Sequence, residues 1–336
     1  MTDSPERAAG ARVCAAVVTY NRKLLLVECL DALLGQTHRL DRIYVIDNAS
    51  TDGTEELLRE RGLLAEATLE YVRSEHNSGG AGGYARAVEV SRELEVDWIW
   101  LMDDDAEPPP DALEKLLGAS PAGDADTAAL CPAVVSPDGS LQLGARGSFD
   151  GRPRPLGPQA YGRGDHPDLG FATFVGILVR NTVARATDPP RADFFIWADD
   201  YEWCFRLRRH GSLRLVPEVQ ILHKDVGHGF ETRRSRIVNR FTPLDYGATP
   251  WSGFWRNIAG VRNYVWVKKT YLGESRLGAV STVAQFALKA LMYDERPLAR
   301  IPWILRAGLD GRLGVFHTIT PQEWAERLRQ EERRRG

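Results

Sequence analysis

The chain has 336 residues, with 43 lysines and arginines against 46 aspartates and glutamates, which gives a formal net charge of −3 at pH 7. This near-balance argues against a general nucleic-acid-binding protein, which would carry a clear basic excess. No apolar run reaches the roughly 18–20 residues that cross a bilayer, and the segment before residue 13 lacks the apolar stretch of a signal peptide. We therefore expect a soluble, cytoplasmic protein with one large domain or two.

Short apolar runs alternate with amphipathic segments in the first third of the chain. Strands are predicted at Val13–Val18, Ile43–Ile46, Leu69–Val72 and Trp98–Met102. Helices are predicted at the leucine repeat that ends near Gly35, at Asp52–Leu58 with Asp52 and Thr54 as candidate caps, at Gly83–Leu94, and at Asp111–Leu117. Strands that alternate with helices in this way predict parallel βαβ units.

The alternation weakens from Ser120 to Asp168, where glycine and proline are dense and a loop-rich crossing is predicted. Further strands are predicted at Ala128–Val135, Phe174–Val179, Leu213–Val216 and Val219–Leu222, and a helix is predicted at Asp200–Arg209. From Trp251 onward the pattern is helical. The scattered cysteines fit buried, reduced thiols better than a disulfide framework or a zinc site; they are Cys14, Cys29, Cys131 and Cys204.

Polar clusters follow each of the first four predicted strands. They are Thr19–Arg22, Asp47–Gly53, Asn77–Gly83 and Asp103–Asp105. Because ligands of open α/β sheets bind at the carboxyl ends of the strands, we expect all four clusters to share one edge of the sheet.

The carboxylates of Asp103, Asp104 and Asp105 cannot all ionise cheaply at a partly buried strand end. A bound divalent cation would relieve their repulsion, and oxygen ligands suit Mg²⁺ or Mn²⁺. The alternative is an acidic surface turn before a proline-capped helix. His223 follows the last predicted strand, where it is either a further metal ligand or a structural histidine.

The glycine-rich run Asn77–Gly83 allows a ligand's phosphate or hydroxyl groups to approach the backbone closely. It matches neither the P-loop nor the dinucleotide fingerprint, and a tight turn is the alternative. Arg86, one helical turn later, either faces the same site or is an exposed helix arginine.

A fifth cluster, Trp197–Glu202, follows the apolar residues Phe194–Ile196. Carboxylates framed by aromatic side chains tend to have a raised pKa, which suits a general base. Asp199 or Asp200 could instead cap the following helix, and both roles are compatible.

Together these clusters resemble glycosyltransferase family 2, the inverting enzymes of the GT-A fold. The matching segments are Val17–Arg22, Asp47–Thr54, Asp103–Asp105 as a variant of the metal-binding DXD motif, and Asp199–Asp200 with Cys204–Leu207 behind them. Within the family, Asn77–Arg86 and Trp197–Asp200 look most like the galactofuranosyltransferases, with rhamnosyltransferases second. The resemblance covers roughly residues 13–225 and implies a Rossmann-like, mostly parallel sheet with helices on both faces.

The resemblance also implies a role for each motif residue. The nucleotide-sugar donor would be bound by Thr19, Tyr20, Arg22, Asp47, Asn77, Gly79, Gly80, Arg86, Asp103 and Asp104, with Thr19 and Arg22 at the diphosphate and Asp47 at the base. Mn²⁺ or Mg²⁺ would be held by Asp105, His223 and Asp103. Asp200, with Asp199 beside it, would be catalytic as the base, and Trp197 and Glu202 would meet the acceptor.

The predicted organisation has a disordered tail over residues 1–12, a GT-A catalytic domain over 13–228 that divides near residue 117, and a helical C-terminal region over 229–336. The predicted reaction is a metal-dependent, inverting transfer of galactofuranose from UDP-galactofuranose to a hydroxyl of a glycan or lipid-linked glycan. dTDP-rhamnose is the alternative donor. A non-catalytic nucleotide-sugar-binding module and a nucleotidyltransferase, which would release pyrophosphate, are alternatives of other classes.

Basic and aromatic residues are interleaved between His228 and Arg276, where nine lysines and arginines stand against three acidic residues. Such helices suit an anionic membrane surface, so peripheral contact with the cytoplasmic face of a membrane is one prediction. A solvated helical face that covers the catalytic domain is the alternative. A homo-oligomer is compatible with either.

Overall fold

The computed structural model describes residues 10–149, 153–162, 164, 166–224 and 248–335. Residues 1–9 of the predicted tail and residues 225–247, which include the predicted domain boundary, lie outside the described residues. The chain forms two compact units. The first contains the described residues of 1–192 and 200–225, and the second contains those of 193–199 and 226–336.

The first unit is built around a large sheet. The strands of this unit are β1 (Val13–Thr19), β2 (Arg42–Asp47), β3 (Leu69–Arg73), β4 (Trp98–Asp103), β5 (Ala106–Glu107), β6 (Thr127–Val135), β7 (Arg146–Phe149), β8 (Pro153–Pro155), β9 (Asp168–Leu169), β10 (Phe171–Ala172), β11 (Leu178–Arg180) and β12 (Ser212–His223). Among the described residues, nine of them form the large sheet in the order β3-β2-β1-β4-β11-β6-β12-β5, with β9 also paired to β12. Six of the nine run in one direction, which confirms the mostly parallel sheet; β5, β9 and β11 run the other way.

Helices pack on both faces of this sheet, as predicted. They are α1 (Lys23–Leu34), α2 (Thr54–Glu60), α3 (Gly79–Arg92), α4 (Ala112–Gly118), α5 (Asn181–Ala186) and α6 (Asp199–Leu207). Alternate residues of β1 face opposite sides, so Val17 belongs to one buried cluster with the leucines of α1 and α4, and Ala16 to the other with residues of α3 and α6. The four cysteines are buried and free, as predicted.

Several element boundaries differ from the predicted ones for local backbone reasons. The strand predicted at Phe174–Val179 is reduced to β11, because a turn with Gly176 at φ +73° precedes it. The two strands predicted around Pro217 are one strand, β12, whose register with β6 shifts between Val216 and Gln220. Proline has no N–H to donate to the ladder, which explains the interruption. Helix α2 follows Gly53 at φ +84° and lacks a side-chain cap, so the predicted capping is wrong.

The small second sheet, β10-β7-β8, provides the short antiparallel strands of the loop-rich segment. It is anchored by Arg146, which is fully buried. The guanidinium donates to the carbonyl oxygens of Pro132 at 2.9 Å and Val175 at 2.6 Å, and also to Thr173. Burial lowers the pKa of this arginine. Its hydrogen bonds tie β6, β7 and the turn before β11 into one rigid corner.

The second unit is helical, with α7 (Trp255–Tyr271), α8 (Arg276–Tyr293), α9 (Pro297–Leu313) and α10 (Pro321–Arg335). These helices agree with the helical pattern predicted from Trp251 onward, and α9 continues through Pro302. Trp251, Phe254 and Trp255 are buried in the core of this unit, so these aromatic residues are not the membrane-facing side chains that the interleaved pattern suggested. No helix within the described ranges is long and apolar enough to cross a bilayer.

Candidate active site

The carboxyl ends of β1, β2 and β4 meet at one edge of the sheet. Thr19 is opposite Asp47, and Val18 is opposite Asp103. In the next strand Arg73 is opposite Asp47. The polar clusters that follow these strands are therefore neighbours in space, as the sequence predicts.

A two-residue strand brings His223 to the acidic cluster. Strand β5 follows Asp105 directly and pairs antiparallel with the end of β12, so that Ala106 is opposite His223. His223 Nε2 lies 3.2 Å from Asp105 Oδ1 and 3.9 Å from Asp103 Oδ2. One ligand atom from each of the three side chains lies within 4.8 Å of the others. The structure thus groups the three residues that were predicted as metal ligands.

The imidazole of His223 is held by Gln142, a residue in the segment whose role the sequence left unassigned. His223 Nδ1 lies 2.9 Å from Gln142 Oε1, and Gln142 Nε2 donates to the carbonyl oxygen of His223 at 3.1 Å. Nδ1 therefore donates and Nε2 faces the carboxylates. Metal-ligating histidines are normally oriented by such a hydrogen bond on the other ring nitrogen.

Asp105 is buried and has one unsatisfied oxygen. Its Oδ2 accepts from Arg22 Nη1 at 2.7 Å, whereas Oδ1 accepts no hydrogen bond from the described part of the chain. Burial raises the pKa of Asp105, but the nearby imidazole and charge of His223 and the charge of Arg22 outweigh this effect, so the pKa lies below its usual value. A buried, ionised carboxylate oxygen that accepts no hydrogen bond is well suited to bind a divalent cation.

The pKa of Asp103 lies above its usual value, unlike that of Asp105, because burial and the charge of Asp105 raise it. The hydroxyl of Tyr84 on α3 donates to its Oδ1. Two carboxylates and one imidazole fit Mn²⁺ or Mg²⁺, and the charge of such an ion would favour the ionised form of Asp103.

Asp104 and Thr19 point inward. Thr19 Oγ1 donates to Asp104 Oδ2 at 2.7 Å, and both side chains are buried. Burial raises the pKa of Asp104 to about 7. The pair links the ends of β1 and β4 beneath Arg22, whose Nη1 is 3.5 Å from Asp104 Oδ1. Direct contact of Thr19 or Asp104 with the nucleotide-sugar stays a prediction.

Asp47 is also fully buried, with both oxygens engaged. Oδ1 accepts from the backbone N–H of Ser50 at 2.8 Å, and Oδ2 accepts from Arg73 Nη1 at 2.9 Å and from the Tyr71 hydroxyl. Arg73 Nη2 also donates to the carbonyl oxygen of Ser50 at 2.7 Å. Asp47 therefore holds the loop after β2, and its contact with a nucleotide base stays a prediction.

The glycine-rich run is the start of α3 rather than a loop before the helix. Gly79 has φ +75° and its N–H donates to Asn77 Oδ1 at 2.8 Å. A Cβ on Gly83 would lie 2.4 Å from Val18 Cγ1, so glycine allows the helix to approach β1. A Cβ on Gly80 would meet nothing within 4 Å, which leaves space for a ligand.

The predicted donor-side residues Arg86 and Tyr20 lie on α3 and in the loop after β1, respectively. Arg86 is exposed, and its Nη1 is 3.5 Å from Glu89 Oε2 one helical turn away. This is the surface arrangement named as the alternative. Tyr20 is partly buried in the loop after β1. Their donor contacts remain predictions.

The segment that leads into α6 has unusual backbone geometry. Phe195, Trp197 and Ala198 have φ values of +65°, +66° and +66°, a region that non-glycine residues rarely occupy. Each such residue costs about 1–3 kcal/mol and persists only where the surroundings hold it. Backbone strain of this kind concentrates at functional sites, which agrees with the acceptor-side role predicted for this segment.

Two neighbouring residues of α7 hold this strained segment. Asn263 Nδ2 donates to the carbonyl oxygens of Phe194 at 3.0 Å, Ile196 at 2.9 Å and Trp197 at 2.8 Å. Arg262 Nη2 donates to the carbonyl oxygen of Phe194 at 2.9 Å. No local sequence pattern marks either residue, because their partners are backbone groups far away along the chain.

Trp197 keeps 38% of its surface exposed while its ring packs on α7. A Cβ on Gly260 would lie 2.3 Å from Trp197 Cε3, so the glycine makes room for the indole. A partly exposed, well-supported indole offers a flat apolar surface to a sugar ring.

The acidic residues that begin α6 differ in their surroundings. Asp199 is buried, and Asp200 is partly buried with its Oδ1 accepting from the N–H of Tyr201 at 2.7 Å. Glu202 is buried and binds Arg206 Nη2 at 2.6 Å and Nε at 2.9 Å. The acceptor contact predicted for Glu202 therefore stays a prediction, since the side chain already serves an internal ion pair.

Comparisons with known sequences agree on one protein family. The family model described as Glycosyl transferase family 2 matches residues 14–187. Over 96 residues the chain is 42% identical to Galactofuranosyltransferase GlfT1 of Mycolicibacterium smegmatis, and over 94 residues it is 38% identical to GlfT1 of Mycobacterium tuberculosis. These alignments cover 29% and 28% of this chain and 30% of each relative, so the matched segment spans less than a third of the relatives' length.

Solved structures of similar fold include GalNAc-T7 with UDP, GalNAc and Mn²⁺, at a TM-score of 0.54 and 14% identity over 82% of this chain and 55% of that one. Staphylococcus aureus TarS 1–349 with UDP-GlcNAc has a TM-score of 0.53 at 13% identity, covering 89% of this chain and 81% of that one. The mannosyltransferase PcManGT from Pyrobaculum calidifontis, with GDP-Man and Mn²⁺, has a TM-score of 0.50 at 17% identity, covering 92% and 89%. At such identities the similarity establishes the fold alone, and it confirms the predicted GT-A fold.

Proposed function

The chain belongs to glycosyl transferase family 2, and on that premise we propose that it transfers a sugar from a nucleotide-sugar donor to a hydroxyl group of an acceptor. The main support is the cluster of Asp103, Asp105 and His223 at the carboxyl edge of the sheet, with an unsatisfied buried oxygen on Asp105. Solved proteins of similar fold carry UDP, UDP-GlcNAc or GDP-Man, and two of them also carry Mn²⁺.

UDP-galactofuranose is the donor that we propose. The 42% identity with GlfT1 over 96 residues supports this choice, and the run Asn77–Arg86 and the sequence Trp197–Asp200 agree with it. dTDP-rhamnose is the alternative donor. The acceptor would be a glycan or a lipid-linked glycan, with the exposed indole of Trp197 stacking on one of its sugar rings. Peripheral membrane contact and self-association are compatible with such an acceptor.

In the proposed reaction the acceptor oxygen attacks the anomeric carbon, and the bond from that carbon to the diphosphate oxygen breaks. Asp200 takes the proton of the acceptor hydroxyl as general base. Arg22, which already bonds Asp105 at 2.7 Å, lies at the strand ends where it would donate to the departing diphosphate. A divalent cation held by Asp103, Asp105 and His223 would supply Lewis-acid stabilisation of the leaving group's charge. A single displacement of this kind inverts the anomeric configuration.

A donor panel tests the proposed function. With Mn²⁺ present, UDP-galactofuranose is expected to raise the unfolding temperature more than dTDP-rhamnose, UDP-GlcNAc or GDP-mannose, because a ligand at about 100 times its Kd stabilises the folded state by about 2.7 kcal/mol. UDP should be released when a glycan acceptor is added. Selective stabilisation by dTDP-rhamnose would reassign the donor. Pyrophosphate release would identify a nucleotidyltransferase, and donor binding without turnover would indicate a non-catalytic module.

Asn263 gives a second prediction, as a positioning residue for the strained segment. Asn263→Ala removes the donor shared by three carbonyl oxygens, and a buried acceptor left without a donor costs about 1–3 kcal/mol. We expect kcat to fall by about 10²-fold, since a misplacement of about 1 Å has effects of that size. The KM for the nucleotide-sugar should stay unchanged.

Asn257→Ala is the matched control, because Asn257 is buried on the same helix and its Oδ1 accepts no hydrogen bond from the described residues. Thermal unfolding, donor KM and kcat should be measured on both variants. An equal loss of kcat in both variants would show that Asn263 contributes only to the stability of α7.

A further inference from the structure

Helices α8 and α9 each carry a stripe of large apolar side chains that face solvent. Eight of the eleven exposed large apolar residues in the described part of the chain belong to these stripes, with 41% to 81% of their surface exposed. They are Leu277, Val280, Leu288 and Leu291 on α8 and Leu298, Leu305, Leu309 and Leu313 on α9. Their helical spacing places each set on one side of its helix. Groups of exposed apolar side chains such as these mark interaction surfaces.

A groove of about 570 Å³ joins the two stripes. Its walls include Val280 and Val283 of α8 and Leu305 and Leu309 of α9. The helices approach closely at Gly308, where a Cβ would lie 2.3 Å from Val283 Cγ2. The groove therefore connects the two stripes, and we call the stripes and the groove together the α8–α9 face.

The groove also has cationic walls. Lys269, Arg276 and Arg312 line it, and none of its lining residues is acidic. Lys269 Nζ donates to the carbonyl oxygen of Arg312 at 2.9 Å, and Arg312 Nη1 donates to that of Glu274 at 3.2 Å. These partners are neutral backbone groups, so they do not compensate the charges.

The carboxylates nearest in sequence are already paired with other cations. Glu274 binds Lys268 at 2.9 Å, and Asp310 binds Arg306 at 2.9 Å. The α8–α9 face thus combines exposed leucines with a net positive charge. This combination is typical of helices that lie in the interface of an anionic bilayer.

We infer that the α8–α9 face docks the protein on an anionic phospholipid membrane. The leucines enter the boundary between headgroups and acyl chains, and Lys269, Arg276 and Arg312 bind the lipid phosphates. A second copy of the chain complements this face less well, because a twofold contact would set the same cations against each other. The inference is independent of the proposed reaction, because the face contains none of the residues of the acidic cluster.

Vesicle binding by the full chain, without donor or acceptor, tests the inference. The protein should float with vesicles of equal parts phosphatidylcholine and phosphatidylglycerol, and not with phosphatidylcholine alone. The double variant V280E/L309E should lose at least about tenfold in affinity, because two carboxylates would replace apolar contacts. Leu24→Glu is the matched control, since Leu24 is 65% exposed on α1 and should bind as the unchanged protein does.

A second variant, R276Q/R312Q, keeps the apolar stripes and removes two charges. It should weaken binding to anionic vesicles, and high salt should weaken binding of the unchanged protein. Circular dichroism checks folding of every variant. Absence of vesicle binding by the folded, unchanged protein would overturn the inference. Equal binding by V280E/L309E would do so too, as would a dimer in solution that this double variant abolishes, because a second copy would then cover the face.

Discussion

Replacing Asp105 with alanine is expected to lower the rate of sugar transfer by about 10³-fold, the effect of several kcal/mol of lost electrostatic stabilisation. Asp105 is the centre of the cluster, since Oδ2 binds Arg22 at 2.7 Å and Oδ1 lies 3.2 Å from His223 without a hydrogen-bond donor from the described residues. The variant should also lose the rise in unfolding temperature that Mn²⁺ alone produces. The transfer rate and a Mn²⁺ titration without donor measure the two effects separately.

Two further variants make this test specific. Gln142→Leu should weaken Mn²⁺ binding by about 10–100-fold, because the residue that orients a ligating histidine typically has effects of that size. Asp138→Ala, at an exposed turn, should leave both readouts unchanged. If Asp105→Ala keeps the full Mn²⁺ response, the cluster is not the metal site.

Asp200→Asn is expected to lower kcat by about 10²–10⁴-fold, the usual contribution of a positioned general base. The amide has the shape of the carboxylate and can still accept the hydrogen bond from Tyr201 N–H, which is 2.7 Å long in the structure. It cannot take the proton of an acceptor hydroxyl. Donor binding and the unfolding temperature should therefore stay the same while turnover falls.

A variant of Asp199 tests whether Asp199 or Asp200 is the general base. Asp199→Asn should be measured beside Asp200→Asn, and Asp111→Asn, at a partly exposed position before α4, is the control for loss of a carboxylate outside this segment. Full turnover in Asp200→Asn together with a large loss in Asp199→Asn would move the base to Asp199. Full turnover in both would leave the reaction without a carboxylate base in this segment.

The sequence predicted the first four strands well because their burial is visible locally. Strands β1 and β4 are covered on both faces, so their residues form uninterrupted apolar runs that stop at polar strand ends. The parts predicted less well contain residues that local patterns treat as breakers. Gly176 shortens the strand predicted at Phe174–Val179 to β11, and Pro217 split the prediction of the single strand β12 into two.

The candidate site likewise contains residues that the sequence predicted and residues that it missed. Asp103, Asp105, Asp200 and His223 could be named from their positions after apolar runs and from the resemblance to a family. Tyr84, Gln142 and Asn263 could not, because each acts on a group distant in the chain. Residue type alone also did not distinguish Asp47 and Glu202, which are buried in hydrogen bonds and an ion pair, from side chains open to a ligand.

The sequence by itself determined the alternating βα architecture, the edge of the sheet where polar residues collect, and the family. These features depend on the periodicity of burial and on short motifs, which each segment carries within itself. Only the tertiary structure decided that β5 pairs with β12, which sets His223 beside Asp105, and that Asn263 holds the strained segment before Asp199. Contacts of this kind depend on the register between distant segments, and register is settled only when the segments pack together.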